Sequence, residues 1–183
     1  MIESNISQSL INKRKSGSLR ISGIVEESIV DGPGIRLVVF TQGCKHNCKE
    51  CHNSHTHSFS GGYDIDIADI IDLVKANPLL DGITLSGGDP FEQALTCSIL
   101  ATKLKELGLN VITYTGYTFE EIVKNNDYRK LLLSTDILID GKFEISKKDL
   151  TLPFRGSRNQ RIINVKNSIY NNTIELVGGS SHV

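Results

Sequence analysis

Tryptophan is missing from this sequence, methionine occurs once, and aromatic residues fill only 6% of the 183 positions. No apolar run approaches the roughly 20 residues that a helix needs to cross a bilayer, so no membrane span is expected. An excess of one charge is lacking too: 20 Lys and Arg stand against 21 Asp and Glu, a formal net charge of -1. That balance offers no field to a nucleic-acid backbone. The one basic knot, Asn12-Lys13-Arg14-Lys15, reads as a solvated tail. Residues 1–18 are polar, carry no hydrophobic signal segment and are expected to form a flexible leader. A cytoplasmic location follows, where thiols stay reduced. Four cysteines, three of them within eight residues, then point to a metal or redox site and away from a disulfide framework.

One domain with a real core suits this length. It is expected over residues 19–167, followed by a polar C-terminal tail over 168–183 in which residues 173–177 pair only as an edge. Leu19-Arg20-Ile21-Ser22-Gly23-Ile24-Val25 partly alternates and suggests a peripheral first strand. Asp31-Gly32-Pro33-Gly34 is a turn. The apolar residues 35–40 read as a buried strand, and further strands are expected over 82–86, 110–115, 136–140 and 161–165. Between them, helices are expected from Asp64 or Asp66 to Asn77, over 91–107, and over 119–133 with a break at Asn125-Asn126. Strands alternating with helices imply right-handed crossovers and a parallel sheet. Too few units are present for a closed eightfold barrel, so the expected fold is α/β, a partial, open (β/α) barrel.

In such sheets the reactive site lies at the C-terminal strand ends. Segments there include the loop Cys44-Lys45-His46-Asn47-Cys48-Lys49-Glu50-Cys51-His52-Asn53, the turn Gly87-Gly88-Asp89, Thr115-Gly116-Tyr117 and Asp140-Gly141-Lys142. Three readings of the thiols compete. Cys48-Lys49-Glu50-Cys51-His52 matches a c-type haem attachment, but there is no export signal and Met1 is the only methionine. Structural zinc fits the spacing of Cys44, Cys48 and Cys51 with one of His46, His52, His55 or His57 as fourth ligand. A 4Fe–4S cluster on the three thiolates leaves one iron free for an exchangeable ligand. Gly87 and Gly88 allow close approach of a ligand to the main chain, and Asp89 can accept from an ammonium group or cap the following helix. Cys97 falls on an apolar helix face and reads as a small buried hydrophobe. His46, His55 and His57 read as solvated loop residues if iron–sulfur is preferred. Arg155 and Arg158 read as surface residues or as anchors for a phosphate or carboxylate.

Taken in order, Asp31-Gly32-Pro33-Gly34-Ile35-Arg36, the three-cysteine loop, Ser86-Gly87-Gly88-Asp89-Pro90, Tyr114-Thr115-Gly116-Tyr117, Gly141-Lys142-Phe143 and Phe154-Arg155-Gly156-Ser157-Arg158-Asn159-Gln160 show a clear likeness. The chain resembles the anaerobic ribonucleoside-triphosphate reductase-activating family of radical S-adenosylmethionine enzymes over residues 23–165. Arg158 departs from it, standing where a second serine is common. The resemblance implies one 4Fe–4S cluster on Cys44, Cys48 and Cys51, with S-adenosylmethionine chelating the open iron and contacted by Glu50, Cys51, His52 and Gly88. It implies an electron from a flavodoxin-like donor, cleavage of the sulfonium to methionine and a 5′-deoxyadenosyl radical, and hydrogen abstraction from a glycine of the large reductase subunit, leaving a glycyl radical. Asp31 is a candidate contact for the loop that carries that glycine, or a turn aspartate bonding locally.

Overall fold

A computed structural model describes residues 17–178. Seven strands form one sheet: β1 Ser18–Ser28, β2 Arg36–Thr41, β3 Tyr63–Asp66, β4 Gly82–Gly87, β5 Asn110–Tyr114, β6 Ile137–Asp140 and β7 Arg161–Asn164. Their order is β3-β1-β2-β4-β5-β6-β7. The central β2, β4, β5 and β6 run parallel, while β1, β3 and β7 pair antiparallel. β3 and β7 are the outermost strands and do not pair with each other, so the sheet stays open, as expected for an α/β fold that does not close.

The helices are α1 Ile67–Ala76, α2 Ala94–Glu106, α3 Phe119–Ile122, α4 Asn126–Leu133 and α5 Val165–Asn171. Side-chain alternation along the strands separates two faces. Leu37, Val39, Ile83, Leu85, Val111, Leu138 and Ile163 join one core with Ile67 and Ile70 of α1, Leu100 and Leu104 of α2, and Leu131 and Leu132 of α4. Val38, Ile112 and Ile139 are equally buried but lie outside that cluster. They belong to the opposite face, where irregular segments take the place of helices. There the turn before β2 folds back beneath the sheet: the Thr84 hydroxyl donates to the Asp31 carbonyl at 2.8 Å. A Cβ on Gly32 would stand 2.6 Å from Ile112.

Local signals set the helix ends. Thr118 and Glu121 make a reciprocal capping box, Asn125 caps α4 and Asn164 caps α5 with side-chain oxygens, and Gly108 follows α2 at φ +84°. The break at Asn125-Asn126 is therefore real. α1 begins one residue after Asp66, which holds the N-cap position without a side-chain bond.

Several expectations need correction. β1 lies inside the sheet, between β3 and β2, because Tyr63-Asp64-Ile65-Asp66 adds an outer strand in front of α1. The connection over residues 29–35 is too short for a parallel crossover, so β1 and β2 form a hairpin-like antiparallel pair. The helix expected over 91–107 opens as a 3-10 turn at Pro90–Gln93 before α2 starts. The boundary at residue 167 falls inside α5, whose Val165 and Ser168 are buried, and the chain beyond it returns to β7 through the Ile163–Leu176 bridge. The expected leader lies almost wholly outside the described residues. No described helix is long and apolar enough to cross a membrane.

Candidate metal centre

The cysteine loop leaves the C-terminal end of β2 and is tied down by main-chain bonds. Gly43 N–H donates to Thr56 O (2.8 Å), Cys44 N–H to His57 O (3.0 Å) and Cys51 N–H to Cys48 O (3.3 Å). Asn47 and Glu50, each just before a cysteine, have positive φ values of 49° and 56°. Such left-handed kinks turn successive amides toward one side of a loop, a concavity suited to anionic groups. The result reaches the sulfurs: amides of His46 and Asn47 point at the Cys44 thiol, and the Phe143 amide points at Cys48.

Cys44, Cys48 and Cys51 line a cavity of about 120 Å³ with Gly87, Gly88 and Gly116. It adjoins a larger one of about 350 Å³ on the helix-free side of the sheet, lined by Cys51, His52, Asp31, Phe143 and Arg155 among others. Cys51, Asn53, Ser86, Tyr114, Phe143 and Gln160 belong to both walls. Burial pushes the Cys44 thiol up to about 11 and raises that of Cys48, with the amides pulling the other way. An empty site therefore holds thiols, and loading a metal must release their protons.

Gly87 and Gly88 are required by close approach. A Cβ on Gly87 would lie 2.6 Å from Thr41 N, and one on Gly88 would lie 2.3 Å from Gly43 O. Gly88 N–H donates to Thr41 O (2.7 Å) and Asp89 N–H to Gly43 O (2.9 Å), so these two donors already bind the cysteine loop to the turn. They are not free to pair with a ligand.

Of the two readings of Asp89, the helix cap holds, since its side chain accepts from Phe91 N–H, and the ammonium contact needs correction. Asp89 is fully buried and lines neither cavity. One carboxylate oxygen accepts from Phe91 N–H (2.9 Å) and the Thr115 hydroxyl. The other accepts from Gly116 N–H (3.0 Å), Thr115 and His46 Nε2 (2.8 Å). These donors saturate its lone pairs, leaving no acceptor for a ligand ammonium. His46 is likewise no solvated loop residue, since its side chain is 6% exposed.

The other sequence candidates divide. His52 is exposed and rests on Phe143, ring centroids 5.6 Å apart. Glu50 is exposed and lines neither cavity. His55 is exposed, while His57 is half-buried and lines the thiol cavity. Cys97 is fully buried in the helix-side core, as expected. Asp31 lines the larger cavity and accepts from the Ser28 hydroxyl at 2.5 Å. Arg155 lines the same cavity; one of its NH groups donates to Gln160 O. Arg158 is a surface residue paired with Asp149.

Sequence reasoning missed His46, Phe143 and Arg36 as site-building residues. For Arg36 a signal existed, a charge inside an apolar strand. Its guanidinium is buried and donates to Thr84 Oγ1 (2.7 Å), Ile83 O (2.6 Å), Asn110 O (3.0 Å) and Pro33 O (3.3 Å). It thereby clamps the turn carrying Asp31.

Three thiols lining one cavity, with amides aimed at two of them, suit a cluster whose irons each take one thiolate. Among the described residues, no three His, Cys, Asp or Glu side chains converge as a single metal ion requires. The comparisons agree with the cluster. A family model described as a 4Fe-4S single cluster domain matches residues 30–163. The anaerobic ribonucleoside-triphosphate reductase-activating protein of Vibrio cholerae is 37% identical over 142 residues, 73% of this chain and 90% of that one. Its namesake from Escherichia coli is 34% identical over 72% of this chain and 90% of its own, and that of Enterobacteria phage T4 is 32% identical over 73% and 86%.

The chain belongs to the anaerobic ribonucleoside-triphosphate reductase-activating protein family.

The span shared with the 4Fe-4S domain runs from the turn before Asp31 into β7 and so contains the linings of both cavities. In this member of the activating-protein family, α5 and the Leu176 bridge lie beyond the matched domain. The iron–sulfur assignment and the resemblance in the motifs thus agree.

Proposed function

We propose that this chain activates an anaerobic ribonucleoside-triphosphate reductase as a radical S-adenosylmethionine enzyme, with one 4Fe–4S cluster on Cys44, Cys48 and Cys51. One observation carries the reading: the three thiols share a single cavity with the Gly87–Gly88 turn, at the C-terminal ends of β2 and β4. When bound, the cofactors supply an electron, taken from a flavodoxin-like donor, that splits the sulfonium into methionine and a 5′-deoxyadenosyl radical able to take a hydrogen atom from a glycine Cα of the large reductase subunit.

The chain's own residues orient, enclose and receive. Cys51 stands on the wall common to both cavities, so a cluster held by it would lie beside the larger one. His52 and the carbonyl side of Gly87-Gly88 offer the amino-acid head group its contacts, and Glu50 reaches it only if its exposed side chain swings inward. Phe143, Leu152 and Phe154 line the larger cavity and exclude water from a reactive carbon. Asp31, on the clamped turn, offers a carboxylate to the incoming glycine loop.

The test is to mix the anaerobically reconstituted protein with S-adenosylmethionine, a reductant and the large reductase subunit. A glycyl doublet in the electron paramagnetic resonance spectrum is expected. Its absence while the cluster is intact contradicts the proposal, and stoichiometric zinc in place of iron contradicts the cluster itself.

A further inference from the structure

Asp89 gathers three segments of chain on one buried carboxylate, its own turn with Phe91 among them. The turn after β4 supplies it, Phe91 opens the path to α2, Thr115 and Gly116 follow β5, and His46 comes from the cysteine loop. All the other partners are donors, so the imidazole must present Nε2 as N–H as well. The His46 ring has a place reserved for it. A Cβ on Gly116 would stand 2.4 Å from the ring carbon Cδ2, so only glycine leaves that side open. Tyr117 closes another side edge-on, centroids 4.5 Å apart at 73°. Tyr117 is held in turn by its hydroxyl, which donates to Glu92 at 2.6 Å, and by the Lys45 ammonium 5.1 Å above its ring.

We infer that His46 is a positioning residue that locks the cysteine loop onto the Gly-Gly-Asp turn through Asp89, and so fixes where the Cys44 thiol sits. His46 lies midway between Cys44 and Cys48, and its own amide points at the Cys44 sulfur. Fixing the ring therefore fixes the amide that faces the thiol. Besides the Lys45–Glu92 ion pair at 3.3 Å, which is more exposed, this is a buried side-chain link from the loop across 43 residues. The lock is a property of the empty protein; its consequence for a cluster rests on the reading above.

Three variants separate hydrogen bonding from packing. His46→Leu keeps bulk and removes the donor. His46→Gln places an amide N–H near the Nε2 position and restores it. Gly116→Ala leaves both partners in place and pushes the ring away; Gly116 has no positive φ, so the backbone accepts alanine. In the reduced apo protein, iodoacetamide is expected to alkylate Cys44 ~10-fold faster in His46→Leu and Gly116→Ala, the scale of a local opening equilibrium that loses one charge-assisted bond. His46→Gln is expected to stay near the parent rate. After anaerobic reconstitution the same ranking is expected for iron loss to a chelator, at roughly 10-fold or more, together with a shifted midpoint potential in the two loosened variants. Parent-like rates in His46→Leu, or His46→Gln as reactive as His46→Leu, overturn the inference. If the apo ranking holds but the parent takes up no iron–sulfur cluster, the proposed function fails while the lock stands. If the parent loads and no ranking appears, the lock alone fails.

Discussion

At the scale of single residues, chemistry and burial part company in the cysteines. Cys44, Cys48 and Cys51 face a cavity, whereas Cys97 sits in the core with no exposed surface. Cys48→Ala is expected to abolish iron retention after reconstitution. Cys97→Ala should load iron normally and lose about 1 kcal/mol of stability, the scale of one buried methylene-sized group. Equal iron loss in both would contradict the ligand assignment. A second residue-scale effect is electrostatic. The Arg161 guanidinium, 2.8 Å from Glu120, pulls that carboxyl down to about 2. A depressed folded value means that the contribution is complete above the ordinary glutamate range and is lost as pH falls from about 4.5 toward 2. Because the pair is half exposed, solvent screening keeps it to no more than about 1 kcal/mol. Urea midpoints of Glu120→Gln should lie below the parent at pH 7 and converge with it near pH 2. A gap that persists at low pH would mean that the pair is not its cause.

At the scale of elements, β2 and β4 carry the site because their backbones run in contact to the very end, Thr41 beside Gly87. The same pairing explains Arg36. Entering β2 on the helix-free face, it replaces packing with donors to five backbone and side-chain oxygens. Burial lowers its value to about 10, which still leaves it charged at neutral pH. Arg36→Leu is expected to cost about 3 kcal/mol in urea unfolding of the apo protein, since buried acceptors losing their donors cost roughly 1–3 kcal/mol each. A loss below about 1 kcal/mol would show that the turn carrying Asp31 is held by something else. The central strands were legible in sequence because burial on both faces writes a continuous apolar run. β3 was not, because its Asp64 and Asp66 look like helix caps and the strand it pairs with lies 42 to 48 residues earlier, from Ile21↔Tyr63 to Ser18↔Asp66. α5 was missed for its Asn- and Ser-rich composition, although Asn164, the residue that caps it, was there to be read.

Over the whole molecule, the sheet brings together what the chain keeps apart. The thiols were legible because their spacing lies within one loop. The roles of His46, Asp89 and Phe143 were not, since each depends on an approach between segments tens of residues apart. Asp89 shows the difference most sharply: its sequence context suits a ligand contact equally well as a buried anchor, and only the four converging donors decide. With helices on one side and irregular segments on the other, the molecule leaves the larger cavity beside Cys51 open to solvent. The central claim is that a 4Fe–4S cluster held here by three thiolates keeps one iron for S-adenosylmethionine. The most direct measurement is the electron paramagnetic resonance spectrum of the reduced, reconstituted protein with and without S-adenosylmethionine. A change in the cluster signal on addition is the predicted result; an unchanged spectrum from a fully loaded cluster would contradict it.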